Sequence, residues 1–155
     1  MIPVKEVMTK DVITFREDTP VDEIATTLAS KQITGAPVVG ADGHVVGIVS
    51  EVDVFSKKGA VARDIMSSHV ITVSEDTGID EAARLLIGER IRRVPVIKRG
   101  KMVGLLSRSD VLEFFATTRW TCNVCGAWER GLEMPERCYS CSSTNIHLER
   151  ADPGH

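Results

Sequence analysis

A repeat within the chain constrains its fold more than any other feature. Shifted by 58 residues, Met8, Val12, Ile13, Thr14, Glu17, Asp18 and Thr19 meet identical residues at Met66, Val70, Ile71, Thr72, Glu75, Asp76 and Thr77. The agreement continues to Pro37-Val38, which meet Pro95-Val96. From there the shift is 57, and Gly47, Ser50, Asp53 and Val54 meet Gly104, Ser107, Asp110 and Val111. The slip falls in the stretch Gly40–Gly43, set against Lys98-Arg99-Gly100. A hairpin turn is where the loss of one residue disturbs least. One copy is too short to bury its apolar faces alone, so two copies are expected to share a core.

Each copy reads as β-α-β-β-α. Val12-Ile13-Thr14 and Val70-Ile71-Thr72 are β-branched and predict short strands. Thr19-Pro20 and Thr77 are placed to cap helices whose first turns carry Asp22-Glu23 and Asp80-Glu81, acids that suit a positive helix end. Hairpins are expected around Gly43 and Gly100. A last helix follows Ser50 in one copy and Ser107 in the other. The expected fold class is therefore α/β (α+β), with two such repeats related by a pseudo-twofold axis. The boundaries fall at 1–57 for the first repeat and 58–117 for the second, joined at Lys57-Lys58-Gly59.

The stretches Gly47-Ile48-Val49-Ser50-Glu51-Val52-Asp53 and Gly104-Leu105-Leu106-Ser107-Arg108-Ser109-Asp110 resemble the signature of the CBS-domain family, whose paired repeats form a Bateman module. Pro37-Val38-Val39 and Val94-Pro95-Val96 resemble its second strand. The resemblance covers residues 1 to about 117 and implies a regulatory module that binds an adenine nucleotide (AMP, ADP, ATP or a related adenosyl ligand) and forms a homodimer. Ser50 and Ser107 would stand at helix mouths, where free N–H groups favour phosphate. Asp53 and Asp110 could accept hydrogen bonds from ribose hydroxyls. The same Ser-x-x-Asp pattern is also a helix-capping box that needs no ligand, and capping and binding are compatible. Where the first copy has Thr34-Gly35 the second has Arg92-Arg93. The family resemblance carries phosphate contact to these two arginines, and a solvated helix-end pair is the alternative. It also carries adenine recognition to the backbone around Ile13 and Ile71.

Residues 118–149 change character, and all four cysteines lie here as Cys122-x-x-Cys125 and Cys138-x-x-Cys141, twelve residues apart. Paired knuckles place four thiolates in a tetrahedron suited to zinc, with iron possible. A segment this short has little core, so metal would supply much of its folding energy while the repeats fold without it. The segment is similar to the small β-rich zinc ribbons and rubredoxin-like domains. Asn123 and Tyr139 stand where rubredoxin-type iron sites carry Pro, and Ser142 where they carry Gly, which favours structural zinc. Residues 150–155 form a tail.

The formal net charge of −3 and the absence of a basic block argue against nucleic acid as a partner. A nucleic-acid-binding or transcription-related regulator acting through the ribbon, and a rubredoxin-like electron carrier, stand as the alternative functions. No apolar run approaches the roughly 20 residues needed to cross a membrane. A cytoplasmic address is expected, and the ribbon would serve as an output or docking element for a protein partner. No nucleophile-base constellation or phosphate-gripping loop marks an enzyme.

Overall fold

The computed structural model describes residues 1–150, so most of the expected tail lies outside the described residues, and Arg150 ends a strand. The first copy contains helix α1 (Val21–Lys31), strands β1 (Gly35–Val39) and β2 (Val45–Ser50), and helix α2 (Glu51–Ser56). A short helix, α3 (Ala62–Ile65), leads into β3 (Val73–Ser74), α4 (Ile79–Gly88), β4 (Arg93–Lys98), β5 (Lys101–Ser107) and α5 (Arg108–Thr117). The C-terminal segment is β-rich: β6 (Thr118–Cys122), β7 (Trp128–Glu129) and β8 (Ile146–Arg150) form one sheet in the order β7-β6-β8. Mixed α/β repeats with a small β-rich region are as the sequence predicts.

The hairpins also follow the sequence. β1 pairs antiparallel with β2, and its register slips between Val38 and Val39, beside the longer turn. The shorter turn joining β4 to β5 has positive φ at Arg99 and Gly100, 52° and 80°. Two consecutive left-handed residues match the twist of flanking strands, which is why a two-residue turn suffices there.

Two expectations need correction. Val12–Thr14 and Val70–Thr72 do not form strands. Pairing occurs one residue later at Phe15, which bridges Val38, and at β3, parallel to β4. Phe15 is buried and exchanges hydrogen bonds with Pro37 and Val39, so its burial sets the pairing point. Nor does a threonine side chain cap the first helix of either repeat: the N-cap residues are Pro20 and Gly78. The Thr19 hydroxyl instead accepts from the Arg16 N–H at 2.9 Å. The helix ends are met by backbone carbonyls from distant segments, Ala60 O for Val21 N and Ile2 O for Ile79 N.

Those carbonyls reveal an exchange that the repeat pattern hides. The segment leading into each copy attaches to the other copy. Val4 N and Lys5 N bond to Thr77 O and Glu75 O, whereas Ala62 N and Arg63 N bond to Thr19 O and Glu17 O. The chain accordingly divides into two compact units, one of residues 1–8, 75–93 and 106 onward, the other of 9–74 and 94–105. In the latter, Phe15, Ile24, Leu28, Val38, Val49 and Ile65 form a buried cluster. The former buries Val4, Ile79, Ala82, Leu86, Phe114 and Trp120.

Candidate functional site

The signature residues sit where β2 and β5 turn into helices. Ser50 N donates to Asp53 Oδ2 at 2.8 Å and Asp53 N donates to Ser50 Oγ at 3.2 Å, a reciprocal capping box. Ser107 and Asp110 repeat it at 2.9 and 3.2 Å. The capping role is thus real in both copies, and it holds each carboxylate at the helix mouth in one orientation. The signature glycine has a different cause. Ser67 exchanges backbone hydrogen bonds with Ile48, and a Cβ on Gly47 would lie 2.9 Å from Ser67 O and 2.5 Å from Met66 Sδ. Only glycine admits so close an approach of another backbone segment.

At these mouths the copies diverge. Arg92 O accepts from Arg108 N, as Thr34 O accepts from Glu51 N. The second mouth therefore gathers the backbone of Arg92, the start of β4 at Arg93, and Arg108, whose Nε donates to Ile91 O at 2.9 Å. Repeat one offers Thr34, Gly35 and Glu51 at the same places. The sequence reading found Arg92 and Arg93 but missed Arg108, which the shift of 57 sets against Glu51.

It also missed Lys57. Its Nζ lies 2.8 Å from Asp53 Oδ1 and donates to Ile65 O at 3.2 Å. Both Asp53 carboxylate oxygens are thus engaged. The counterpart of Lys57 in the second copy is Phe114, which is buried and carries no charge. An i,i+4 Asp-Lys pair in one copy alone is the signal that was available in the sequence. Ile13 packs partly buried against the core cluster and Ile71 is half-buried. Neither lies in a strand.

The four cysteines converge. Their Sγ atoms all lie within 4.8 Å of one another, with Cys122–Cys141 and Cys125–Cys138 at 3.6 Å. That is far beyond a disulfide bond of about 2.05 Å and close to the edge of about 3.8 Å in a tetrahedral zinc-thiolate site. N–H groups of Cys125 and Val124 pull the Cys122 thiol down to about 6. Those of Cys141 and Ser140 lower Cys138 likewise. Cys141 has an N–H bond from Ser143, yet burial and the neighbouring thiols push it up to about 12. Crowded thiols resist joint ionisation, and a cation at their centre removes that conflict. Four sulfurs, in two pairs at 3.6 Å, and backbone donors at each knuckle make a donor set that could hold a metal. No histidine joins the cluster among the described residues.

The family model of the CBS domain matches residues 4–59 and 62–117. The chain belongs to the CBS-domain family. Both copies of the repeat fall within the match, and the four-cysteine segment follows it. Inosine-5′-monophosphate dehydrogenase of Thermoplasma acidophilum is 38% identical over 108 residues, which are 68% of this chain and 22% of that enzyme. The chain spans 22%, 45% and 62% of the first curated relatives it matches. Among solved CBS-pair structures, CBSX2 in complex with AMP has a TM-score of 0.70 at 30% identity, covering 72% of this chain and 94% of that one. The CBS pair of MJ0100 in complex with 5′-methylthioadenosine and S-adenosyl-L-methionine has a TM-score of 0.68 at 28% identity, covering 74% and 96%. No helix among the described residues is long and apolar enough to cross a membrane.

Proposed function

We propose that this chain is a regulatory, non-enzymatic sensor that binds an adenine nucleotide through its CBS pair and carries a zinc ribbon as an output or docking element. The observation that carries the reading is the second helix mouth, where Asp110 is held by its capping box while Arg92 and Arg108 share a backbone hydrogen bond. A fixed carboxylate suits ribose hydroxyls, and a helix N-terminus with arginines suits phosphate. The AMP and S-adenosyl-L-methionine complexes of similar CBS pairs support the ligand class. Ser107, Asp110, Arg92 and Arg93 form the stronger site, with Ser50 and Asp53 the weaker, and the backbone near Ile13 and Ile71 recognises adenine.

The modules are residues 1–57, 58–117 and 118–149. Cys122, Cys125, Cys138 and Cys141 hold zinc, which acts as a structural ion that folds the segment. Four free thiols in paired knuckles suit a reducing, cytoplasmic setting. The protein works as a homodimer.

Calorimetric titration of the full chain with AMP tests the ligand reading. Asp110→Ala should abolish the stronger heat, and Asp53→Ala should leave most of it. Each change should also remove about 1 kcal/mol of stability through its lost cap. Full-strength AMP binding by Asp110→Ala, or no heat with the unaltered protein, rejects the proposal.

A further inference from the structure

The four-cysteine segment is built onto the second repeat without a linker. α5 ends at Thr117 and β6 begins at Thr118, whose hydroxyl donates back to Phe114 O. β8 then pairs with β6 along its length, from Cys122 opposite Ile146 to Thr118 opposite Arg150. The strand that starts beside a cysteine therefore finishes beside α5. There Glu6 and Val7 of the leader, Asp110 and Phe114 of α5, and Leu148 and Arg150 of β8 line one cavity of about 270 Å³. On the other side of α5, Leu132 from the loop between the cysteine pairs lines an apolar groove with α4 and α5. The cysteine segment thus borders α5 on two faces, and one of its strands walls the cavity that contains the candidate ribose carboxylate.

From this continuity we propose that the metal state of the cysteine cluster regulates ligand binding at Asp110 and leaves the Asp53 site unaffected. The inference rests on the nucleotide reading above. Its physical basis is that β8 is an edge strand, paired only with β6 among the described residues. The strand is fastened by β6, by the Arg119–Glu149 ion pair and by the Asn123–Asn145 contacts next to the cluster. Without metal the knuckles lose their organising bonds, β8 detaches, and the cavity beside Asp110 opens to water. Asp53 lies in the other compact unit, where Lys57 and the Ile65 carbonyl hold it.

AMP is titrated into the full chain, zinc-loaded and chelated, in two backgrounds. In Asp53→Ala, which reports the Asp110 site, chelation should weaken AMP by about tenfold or more. In Asp110→Ala the residual binding should not change. Leu148→Ser with zinc retained should reproduce part of the first loss. Equal losses in both backgrounds, or none in either, overturn the proposal. Hydrogen exchange separates its failure from that of the nucleotide reading. Faster exchange on chelation at Val4–Val7 and in the α5 amides supports the mechanical coupling even if AMP gives no heat. Changes confined beyond Cys122 refute the coupling even if AMP binds.

Discussion

Ser142 has a φ of 64° in the second cysteine knuckle, where the first knuckle has Gly126 at 79°. A left-handed conformation costs an L-residue about 1–2 kcal/mol, and glycine avoids it at the expense of a more flexible unfolded chain. Ser142→Gly should therefore stabilise the segment by a net ~0.5–1 kcal/mol. Both tryptophans, Trp120 and Trp128, lie within it, so fluorescence-detected melting reports this part alone. An unchanged or lower midpoint would contradict the strain argument. The residues of the capping boxes were legible for a related reason: Ser-x-x-Asp closes within one helical turn. Arg108 and Lys57 were not read because their significance comes from comparison with the other copy and from a carbonyl, Ile65 O, in the next helix.

Among the elements, β6 and β8 carry the clearest dependence on pH. Arg119 donates to Glu149 across the pair and holds its carboxyl below the ordinary value of 4.5. A depressed folded value means that the ion pair stabilises above that ordinary value and that its contribution disappears as pH falls through the lowered one. Tryptophan-detected stability of the segment should fall more steeply below about pH 4.5 in the unaltered protein than in Glu149→Gln. Acid release of metal affects both alike, so identical profiles would count against the pair. The helices teach a complementary lesson. α1 and α4 begin later than Thr19 and Thr77 suggest, since their first N–H groups find carbonyls on the leader segments. Local capping propensity loses to a backbone partner delivered by the fold.

At the scale of the whole molecule, both repeats leave apolar helix surface exposed. A groove of about 350 Å³ lies along α4 and α5, and one of about 150 Å³ along α1 and α2. Phe55, Ile87 and Leu112 are 81%, 74% and 67% exposed. Large side chains this open are expected to be covered by a partner, which supports the proposed homodimer. Light scattering should give twice the 17.0 kDa chain mass. The pair Phe55→Glu and Leu112→Glu should shift it to a single chain. A single-chain mass for the unaltered protein across a wide concentration range would reject the homodimer.

The duplication, the hairpins, the two capping boxes and the cysteine spacing were determined by the sequence itself. Each depends on identity between the copies or on partners no more than a few residues apart. The tertiary structure alone decided which copy each leader joins, where the first strands pair, and that β8 comes to rest beside α5. Those outcomes depend on backbone groups tens of residues apart. Every backbone donor is alike before folding, so no local pattern of side chains can say which distant carbonyl it will meet.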